Sequence, residues 1–253
     1  MAPLVVVVVT AMPVQPRRNR AVIGPMVGGA LGVGLTLAGC ATNAEVTPAG
    51  SAASQPAAAQ PAPPRYDVSR IDAVANDFPE GFTAQAHPAK TLGQSDIDGS
   101  AVAAFTQAQV DPPQCRSVVI PRYVDPKAGT EAAGVIGQGD QGNMYVVALR
   151  SPDSVTPEAD PAGCDRIALS GSPQATGTVE RIPAPDIGGV TTTGVKLTVA
   201  DPEDDPDYLY TAALDDHTSV VVMGSADEQL DPQRLMSDLL VKAVSAVRGQ
   251  QQP

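Results

Sequence analysis

The first forty residues of this chain have the pattern of an export signal, and we do not expect them to belong to a globular fold. Three arginines between positions 17 and 20 are followed by 17 uncharged residues, at positions 21–37. This stretch contains a proline and five glycines, and it is shorter than the ~20 apolar residues that a membrane-spanning helix needs. A basic region followed by a short apolar segment is typical of a cleaved signal peptide. We therefore predict that residues 1–39 are removed.

The signal ends in the sequence Leu-Ala-Gly-Cys at residues 37–40, which resembles the lipobox of bacterial lipoproteins. The resemblance implies that the mature chain starts at Cys40 and that this thiol carries a diacylglycerol. Two or more acyl chains, such as palmitate, give stable anchoring. We thus predict attachment to the extracytoplasmic face of the cell membrane, with an uncleaved transmembrane helix as the alternative. Translation is predicted to start at Met12, since the apolar residues 5–9 precede the arginines instead of following them.

Residues 40–65 are predicted to be a tether between this anchor and one folded domain. The 25 residues from 41 to 65 include nine alanines and five prolines, and only two are charged. Such a segment cannot bury a core. Fully extended as polyproline, it would span at most ~80 Å. The folded domain is predicted over residues 66–249, with residues 250–253 as a tail.

Two cysteines remain once Cys40 is assigned to lipid. Cys115 and Cys164 would close a ring of 50 residues, in the oxidising compartment that an exported chain reaches. They lie 49 positions apart with no nearby histidine, which makes a poor zinc site, and a redox pair favours Cys-x-x-Cys spacing. We therefore predict a structural disulfide and no bound metal. A metal site and a reactive thiol are the alternatives.

Apolar periodicity predicts an α+β fold, with a helix near each end of the domain and strands between them. Residues 68–78 have helical spacing, with Ser69 as the expected cap, and a weaker second helix is predicted at residues 96–107. The clearest helix starts at Pro232 and ends at Gly249. Strands are predicted at residues 82–86, 132–138, 143–150, 176–182, 190–200, 208–214 and 218–224. Their short connections favour a mainly antiparallel sheet, packed against the N-terminal and C-terminal helices.

The acidic balance of the chain excludes some classes of partner. Sixteen basic residues against 28 acidic residues give a net charge of -12. Phosphate backbones and anionic membrane surfaces both require clustered cations, so nucleic acid is not predicted as a partner. The acidic residues 201–207 loosely follow calcium-loop spacing, but Pro206 stands where glycine is needed. We interpret them as solvated charges, and we predict no cofactor.

Candidate functional side chains are few. Asp215, Asp216 and His217 lie between two predicted strands and favour a hairpin turn, although a hydrolase could use His217 with Asp216 and a serine. The sequence contains no G-x-S-x-G nucleophile motif. Tyr208 and Tyr210 fall on one side of a strand. They are weak candidates for a ligand cleft, with packing on the sheet as the favoured role.

Several short motifs of the predicted domain resemble a known family. They follow the lipobox and tether, and they are Phe-Pro-Glu-Gly-Phe at residues 78–82, Asp-Pro-Pro-Gln-Cys at residues 111–115 and Leu-Leu-Val-Lys-Ala-Val at residues 239–244. Together they resemble the uncharacterised mycobacterial lipoproteins grouped as DUF5642 and, more distantly, the extracellular sensor domain of PknH-type kinases. The resemblance implies an antiparallel sheet flanked by helices, a cleft for an unidentified ligand and no catalytic residues. The kinase sensor domain has two disulfides, whereas this chain can form one.

The sequence thus predicts a lipid-anchored envelope module that binds a ligand or acts as a sensor without catalysis. Its expected partners are the membrane, through Cys40, and an unknown small molecule or envelope protein. Two alternatives stay open, an envelope hydrolase that uses His217 and a structural envelope protein.

Overall fold

The computed structural model describes residues 66–98, 108–158, 161–171, 176–199 and 205–249. The predicted signal peptide, Cys40 and the tether lie outside the described residues. Within those ranges, no helix combines the length and the apolar composition needed to cross a membrane.

The folded domain is built on one nine-stranded sheet, in which all neighbouring strands are antiparallel. The strands are β1 (Thr83–Thr91), β2 (Gln109–Asp111), β3 (Glu131–Gly139), β4 (Gly142–Arg150), β5 (Arg166–Ser170), β6 (Gly177–Arg181), β7 (Thr191–Val199), β8 (Asp207–Ala213) and β9 (Thr218–Ala226). Their order across the sheet is β1-β3-β4-β9-β8-β7-β6-β5-β2. The prediction of a mainly antiparallel sheet is confirmed, while β2 and β5 were not predicted.

Among the residues that the structure describes, the longest helix is the last one. The α-helices are α1 (Gln94–Asp98), α2 (Arg116–Val119) and α3 (Pro232–Val247), and the 3₁₀ helices are Val68–Asp77, Pro113–Cys115, Arg122–Val124 and Glu228–Leu230. Asp231 caps α3 by accepting a hydrogen bond from the Arg234 amide at 3.4 Å, just before the proline at the first helical position. The part of the predicted second helix beyond Asp98 lies outside the described residues.

The first helix differs from its prediction in type and in cap. Residues Val68–Asp77 form a 3₁₀ helix whose buried side chains, Val68, Ile71 and Val74, recur every three residues. Three residues per turn is the 3₁₀ period, so this spacing keeps one face buried. The cap is Asp67, which accepts hydrogen bonds from the Ser69 amide at 3.0 Å and from its hydroxyl at 2.6 Å. Ser69 is therefore the donor, and its predicted role as the cap is wrong.

The turn between β3 and β4 lies within the Gly-rich segment at residues 137–142. The hairpin turns at Asp140 and Gln141, and Gly142 follows with a φ of 138°. This left-handed conformation favours glycine. A Cβ atom at Gly142 would also collide with the backbone oxygen of Ser225 on β9. Glycine at this position therefore allows β4 to turn sharply and still pair closely with β9.

Three buried clusters lie on the two faces of the sheet, because successive side chains of a strand point to opposite sides. The first cluster joins the N-terminal 3₁₀ helix and α3 to β3, β4, β8 and β9. Lys242 on α3 also contacts Asp77 of the 3₁₀ helix at 2.8 Å. The second cluster surrounds Cys115 and Cys164 over β5, β6 and β7. The third joins Leu92 and Val124 to alternate residues of β3, β4 and β9.

Candidate functional site

A disulfide between Cys115 and Cys164 fixes one wall of the candidate site. It links the end of the 3₁₀ helix Pro113–Cys115 to the segment that enters β5, with the two Cα atoms 5.5 Å apart. Both half-cystines are buried, and Val118 and Val119 of α2 pack in the same cluster. The predicted disulfide is confirmed. It holds α2 and the residues that follow across one face of the sheet.

A polar cleft of about 230 Å³ lies between this disulfide-linked segment and the start of β7. Four stretches of the chain line it, and their residues include Ser117, Arg122, Tyr123, Glu158, Arg181 and Thr193. At about 30 Å³ for each water molecule in the liquid, this volume holds about eight water-sized groups. It is smaller than the ~300 Å³ at which sites for drug-sized ligands begin. The cleft therefore fits a small polar molecule or one end of a larger one.

A row of three hydroxyl groups ties the cleft to the sheet. The Oη atom of Tyr123 lies 2.8 Å from the Oγ1 atom of Thr211 on β8. The Oγ1 atom of Thr211 also lies 2.7 Å from Oγ1 of Thr193 on β7. Thr211 is buried. The backbone oxygen of Tyr123 also accepts a hydrogen bond from the Ser219 hydroxyl at 2.7 Å. These bonds hold Tyr123 and Thr193 in fixed positions, with both residues lining the cleft.

Among the described residues, the charged groups that line the cleft are two arginines and one glutamate. Nη1 of Arg122 lies 3.1 Å from Oε1 of Glu158. Nε of Arg181 donates a hydrogen bond to the backbone oxygen of Cys164 at 3.2 Å, which positions that guanidinium beside the disulfide. Both guanidinium groups are thus held by partners within the domain. Guanidinium groups and hydroxyls together suit the recognition of oxyanions.

A comparison with protein-family models decides the family. The model described as "Domain of unknown function (DUF5642)" matches residues 67–248, which is most of the chain and nearly all of the folded domain. The chain belongs to the DUF5642 family. This DUF5642 domain also resembles a crystal structure of an uncharacterized protein from Mycobacterium smegmatis, with a TM-score of 0.56 and 18% sequence identity. The alignment covers 73% of this chain and 98% of that one, and at this identity it shows a shared fold alone. A search of curated proteins found no match.

Tyr208 and Tyr210, the weak ligand candidates, lie in the first core cluster of the DUF5642 domain. Tyr210 is fully buried, and its ring lies so close to Gly194 that a Cβ atom there would be 2.8 Å from Cε1. Tyr208 is almost buried, and Nζ of Lys196 stands 5.8 Å from its ring centroid. Burial raises the pKa of Tyr210 far above its usual value. Neither tyrosine is among the residues that line the cleft.

Tyr123 and Tyr210 offer a matched pair of hydroxyl deletions. The Tyr210 Oη atom is buried and finds no hydrogen-bond partner among the described residues, so Tyr210→Phe removes an unsatisfied group. We expect this change to raise the free energy of unfolding by about 1 kcal/mol, and Tyr123→Phe to lower it by about 1 kcal/mol because it breaks the bond to Thr211. Chemical denaturation of both variants measures the difference. A loss of stability in Tyr210→Phe would contradict the assignment.

His217 lies in the predicted hairpin turn between β8 and β9, at the surface. Asp216 accepts a hydrogen bond from the Ser154 hydroxyl at 2.6 Å, and this bond is the main cause that lowers the pKa of its carboxyl. Nδ1 of His217 lies 3.0 Å from the backbone oxygen of Ser151, and Nε2 lies 4.0 Å from Asp216. The carboxylate thus stands between the serine and the histidine. In a serine nucleophile site the histidine occupies that middle position.

The second histidine and the described part of the acidic stretch lie away from the cleft. His87 is buried on β1, and this burial lowers the pKa of its imidazole. Most of the acidic stretch 201–207 lies outside the described residues. Within the part of the chain that is described, no group of three or more His, Cys, Asp or Glu residues is arranged to hold a metal ion. Sequence reasoning missed Arg122, Glu158 and Arg181, because they are far apart along the chain and follow no motif.

Proposed function

We propose that this chain is a lipid-anchored, non-catalytic binding module of the cell envelope, whose ligand enters the polar cleft. The observation that carries the proposal is the cleft beside the disulfide. Ser117, Arg122, Tyr123 and Glu158 all belong to the ring closed by that covalent bond. A wall held in this way is preorganised, so less conformational freedom is lost when a ligand binds.

The anchor in this proposal is Cys40, with residues 1–39 as its signal peptide and residues 40–65 as the tether. It rests on the Leu-Ala-Gly-Cys motif and on the Ala/Pro composition that follows it. The tether would present the domain at the extracytoplasmic face of the membrane. We expect Cys40→Ser to move the protein from the membrane fraction of its native host to the soluble or unprocessed fraction. Retention of palmitate label by that variant would contradict the assignment.

The arrangement of the helices and the sensor likeness belong to the same proposal. The first core cluster supports a sheet packed on one face against the N-terminal 3₁₀ helix and α3. That packing would leave the cleft to the opposite face. The distant resemblance to the extracellular sensor domain of PknH-type kinases fits a module that binds a ligand in its cleft and passes the signal to a partner protein.

A cleft-filling variant tests the binding function. We expect the full-length protein, purified from its native envelope, to retain a small molecule visible by native mass spectrometry. Ser117→Trp, which fills the cleft, should lose that molecule. Gln114→Trp should keep it, because Gln114 is exposed three residues earlier on the same segment and does not line the cleft. An empty wild-type protein, or equal retention by both variants, would overturn the proposal.

The two alternatives make different predictions. An envelope hydrolase that uses His217 would lose all turnover in His217→Ala while keeping any ligand-induced stabilisation. A structural envelope protein would show neither turnover nor a retained molecule. Retention that Ser117→Trp abolishes and His217→Ala preserves, without measurable turnover, therefore favours the binding module over both.

A further inference from the structure

We propose that residues 182–190, which connect β6 to β7, form a strap that couples occupancy of the cleft to the point where the tether joins the domain. This coupling rests on the proposed function, because it describes how a binding module with this cleft would respond to its ligand. Such a strap must contact the cleft, the C-terminal end of α3 and, through α3, the first residues of the domain. Each of these contacts is present.

The strap forms part of the cleft wall. Ile182 and Ala184 both line the cleft, and so does Thr192, the second residue of β7. The Thr192 hydroxyl donates a hydrogen bond to the backbone oxygen of Pro185 at 2.8 Å, which fastens the strap to β7. A molecule that fills the cleft therefore packs against the strap and against the threonine that holds it.

The strap also packs against the first core cluster, which includes residues of α3 up to Val247. The strap residues that are partly buried against this cluster are Ile182, Ala184, Ile187 and Val190. Nη2 of Arg248, the C-cap residue of α3, donates a hydrogen bond to the backbone oxygen of Gly188 at 3.0 Å. The same short segment thus contacts both the cleft and the helix end. Because packed interiors deform little, a shift of the strap at the cleft also displaces its contacts with α3.

The end of α3 is bonded to the first residues of the domain. The Asp67 amide donates a hydrogen bond to the backbone oxygen of Val247 at 3.3 Å, and we call this bond the tether junction. Val247 is the last residue of α3 and directly precedes Arg248, which holds the strap. The predicted tether ends at residue 65, just before Asp67. The attachment of the strap to α3 and the tether junction are therefore on neighbouring residues.

The composition of the strap suits a segment that moves as one piece. Pro183 and Pro185 each fix φ at about -65°, which stiffens the half of the strap that lines the cleft. Gly188 and Gly189 follow, and Gly189 has a φ of 72°, a left-handed conformation that favours glycine. A few loop residues that absorb changes in φ and ψ are enough to make a hinge. The hinge of this strap is the glycine pair, next to its attachment at Arg248.

Filling the cleft by mutation tests the coupling without any ligand. We expect Ser117→Trp to slow amide hydrogen exchange about fivefold or more, both in the strap and at the tether junction, because a filled cleft immobilises the strap. Hydrogen exchange with mass-spectrometric detection on the full-length protein measures both segments. Gln114→Trp adds the same side chain at an exposed position outside the cleft. It should leave both exchange rates within about twofold of wild type.

A second substitution separates coupling from a merely structural effect on the helix end. Arg248→Gln removes the guanidinium that binds Gly188, and its own exchange rates are measured with and without Ser117→Trp. In this background the strap should still respond to Ser117→Trp, whereas the response of the tether junction should fall by about half or more. Arg234→Gln is the matched control, since Arg234 lies in the first turn of α3, is 79% exposed and loses the same charge. It should leave the response of the junction unchanged.

A junction response that depends on Arg248 supports the coupling. An unchanged exchange rate at the junction in Ser117→Trp, an equal response in the Arg248→Gln background, or equal slowing by Gln114→Trp would overturn it. If Ser117→Trp lowers the melting temperature, Ser117→Leu repeats the test with a smaller side chain. Retention of the native molecule is measured separately, so the two proposals fail separately. A wild-type protein that retains its molecule without a junction response upholds binding and refutes the coupling, and an empty wild-type protein refutes binding.

Discussion

We expect the double substitution Cys115→Ser/Cys164→Ser to lower the free energy of unfolding by about 4 kcal/mol. The disulfide closes a ring whose ends are 49 positions apart, so opening it returns a large conformational freedom to the unfolded chain. The folded state of the variant forms no new contact that offsets this loss, because both positions are buried among apolar side chains. Urea denaturation of the exported protein, with and without the two substitutions, measures the loss.

Two controls separate the cross-link from the packing around it. Cys115→Ala/Cys164→Ala avoids the buried hydroxyls that serine introduces, so its difference from the serine variant reports the cost of burying those two hydroxyls. Reduction of the wild-type protein removes the bond without changing any side chain volume appreciably. We expect all three forms to unfold at much lower urea than the oxidised wild type. An unchanged midpoint in the reduced protein would show that the disulfide contributes little.

The disulfide variants should also lose the cleft's function. Arg122, Tyr123 and Glu158 lie inside the ring, and the neighbouring α2 packs on the half-cystines. Without the bond, this wall is held only by noncovalent contacts such as the Tyr123 hydroxyl bond to Thr211. We therefore expect the serine double variant to lose the molecule retained in the cleft even at temperatures where the sheet stays folded, which far-ultraviolet circular dichroism verifies.

The second large effect is expected from Leu240→Ala on α3, at about 3 kcal/mol of lost stability. Leu240 is fully buried and belongs to the first core cluster. The substitution loses the favourable free energy of burying the deleted methyl groups. It also leaves a cavity that the surrounding side chains can fill only in part. The free energy of unfolding from chemical denaturation gives the result.

Val241→Ala is the matched control on the same helix. Val241 is the next residue and is 38% exposed, so its side chain already contacts water in the folded state. We expect its substitution to change the stability by no more than about 0.5 kcal/mol. A similar loss in both variants would mean that the helix does not bury its Leu240 face against the sheet, and that the first cluster does not stabilise the domain.

The strands show why part of the fold was predictable from sequence. β4 contains six consecutive apolar residues, from Met144 to Leu149, and a run of that length next to a Gly-rich turn is typical of a strand that is buried on both faces. β2 has only three residues, too few for any period. β5 was missed although Ile167 and Leu169 do alternate with exposed positions. Its signal was present but short, and the strand is recognisable mainly by its pairing with β6.

The first helix has a spacing of apolar residues that is compatible with both an α-helix and a 3₁₀ helix. Val68, Ile71 and Val74 recur every three residues, which fits a 3₁₀ helix better than an α-helix. The spacing that predicts an α-helix also includes Phe78, which lies just after the helix and is only partly buried. Local spacing alone permitted both helix types, and the contacts with the sheet selected one.

Neighbouring residues alone set the spacing that predicts the longer strands and the C-terminal helix. The sequence also predicts the cross-link, because two of its three cysteines remain once Cys40 is set aside as the predicted lipidation site. The tertiary structure alone decided the cleft. Arg122, Glu158, Arg181, Thr193 and Thr211 span about ninety positions of the chain, and none forms a motif with the next. They meet because β6, β7 and β8 are neighbours in the sheet and because the disulfide folds a ring across them. Long-range pairing of this kind is a property of the whole fold, and no short window of sequence encodes it.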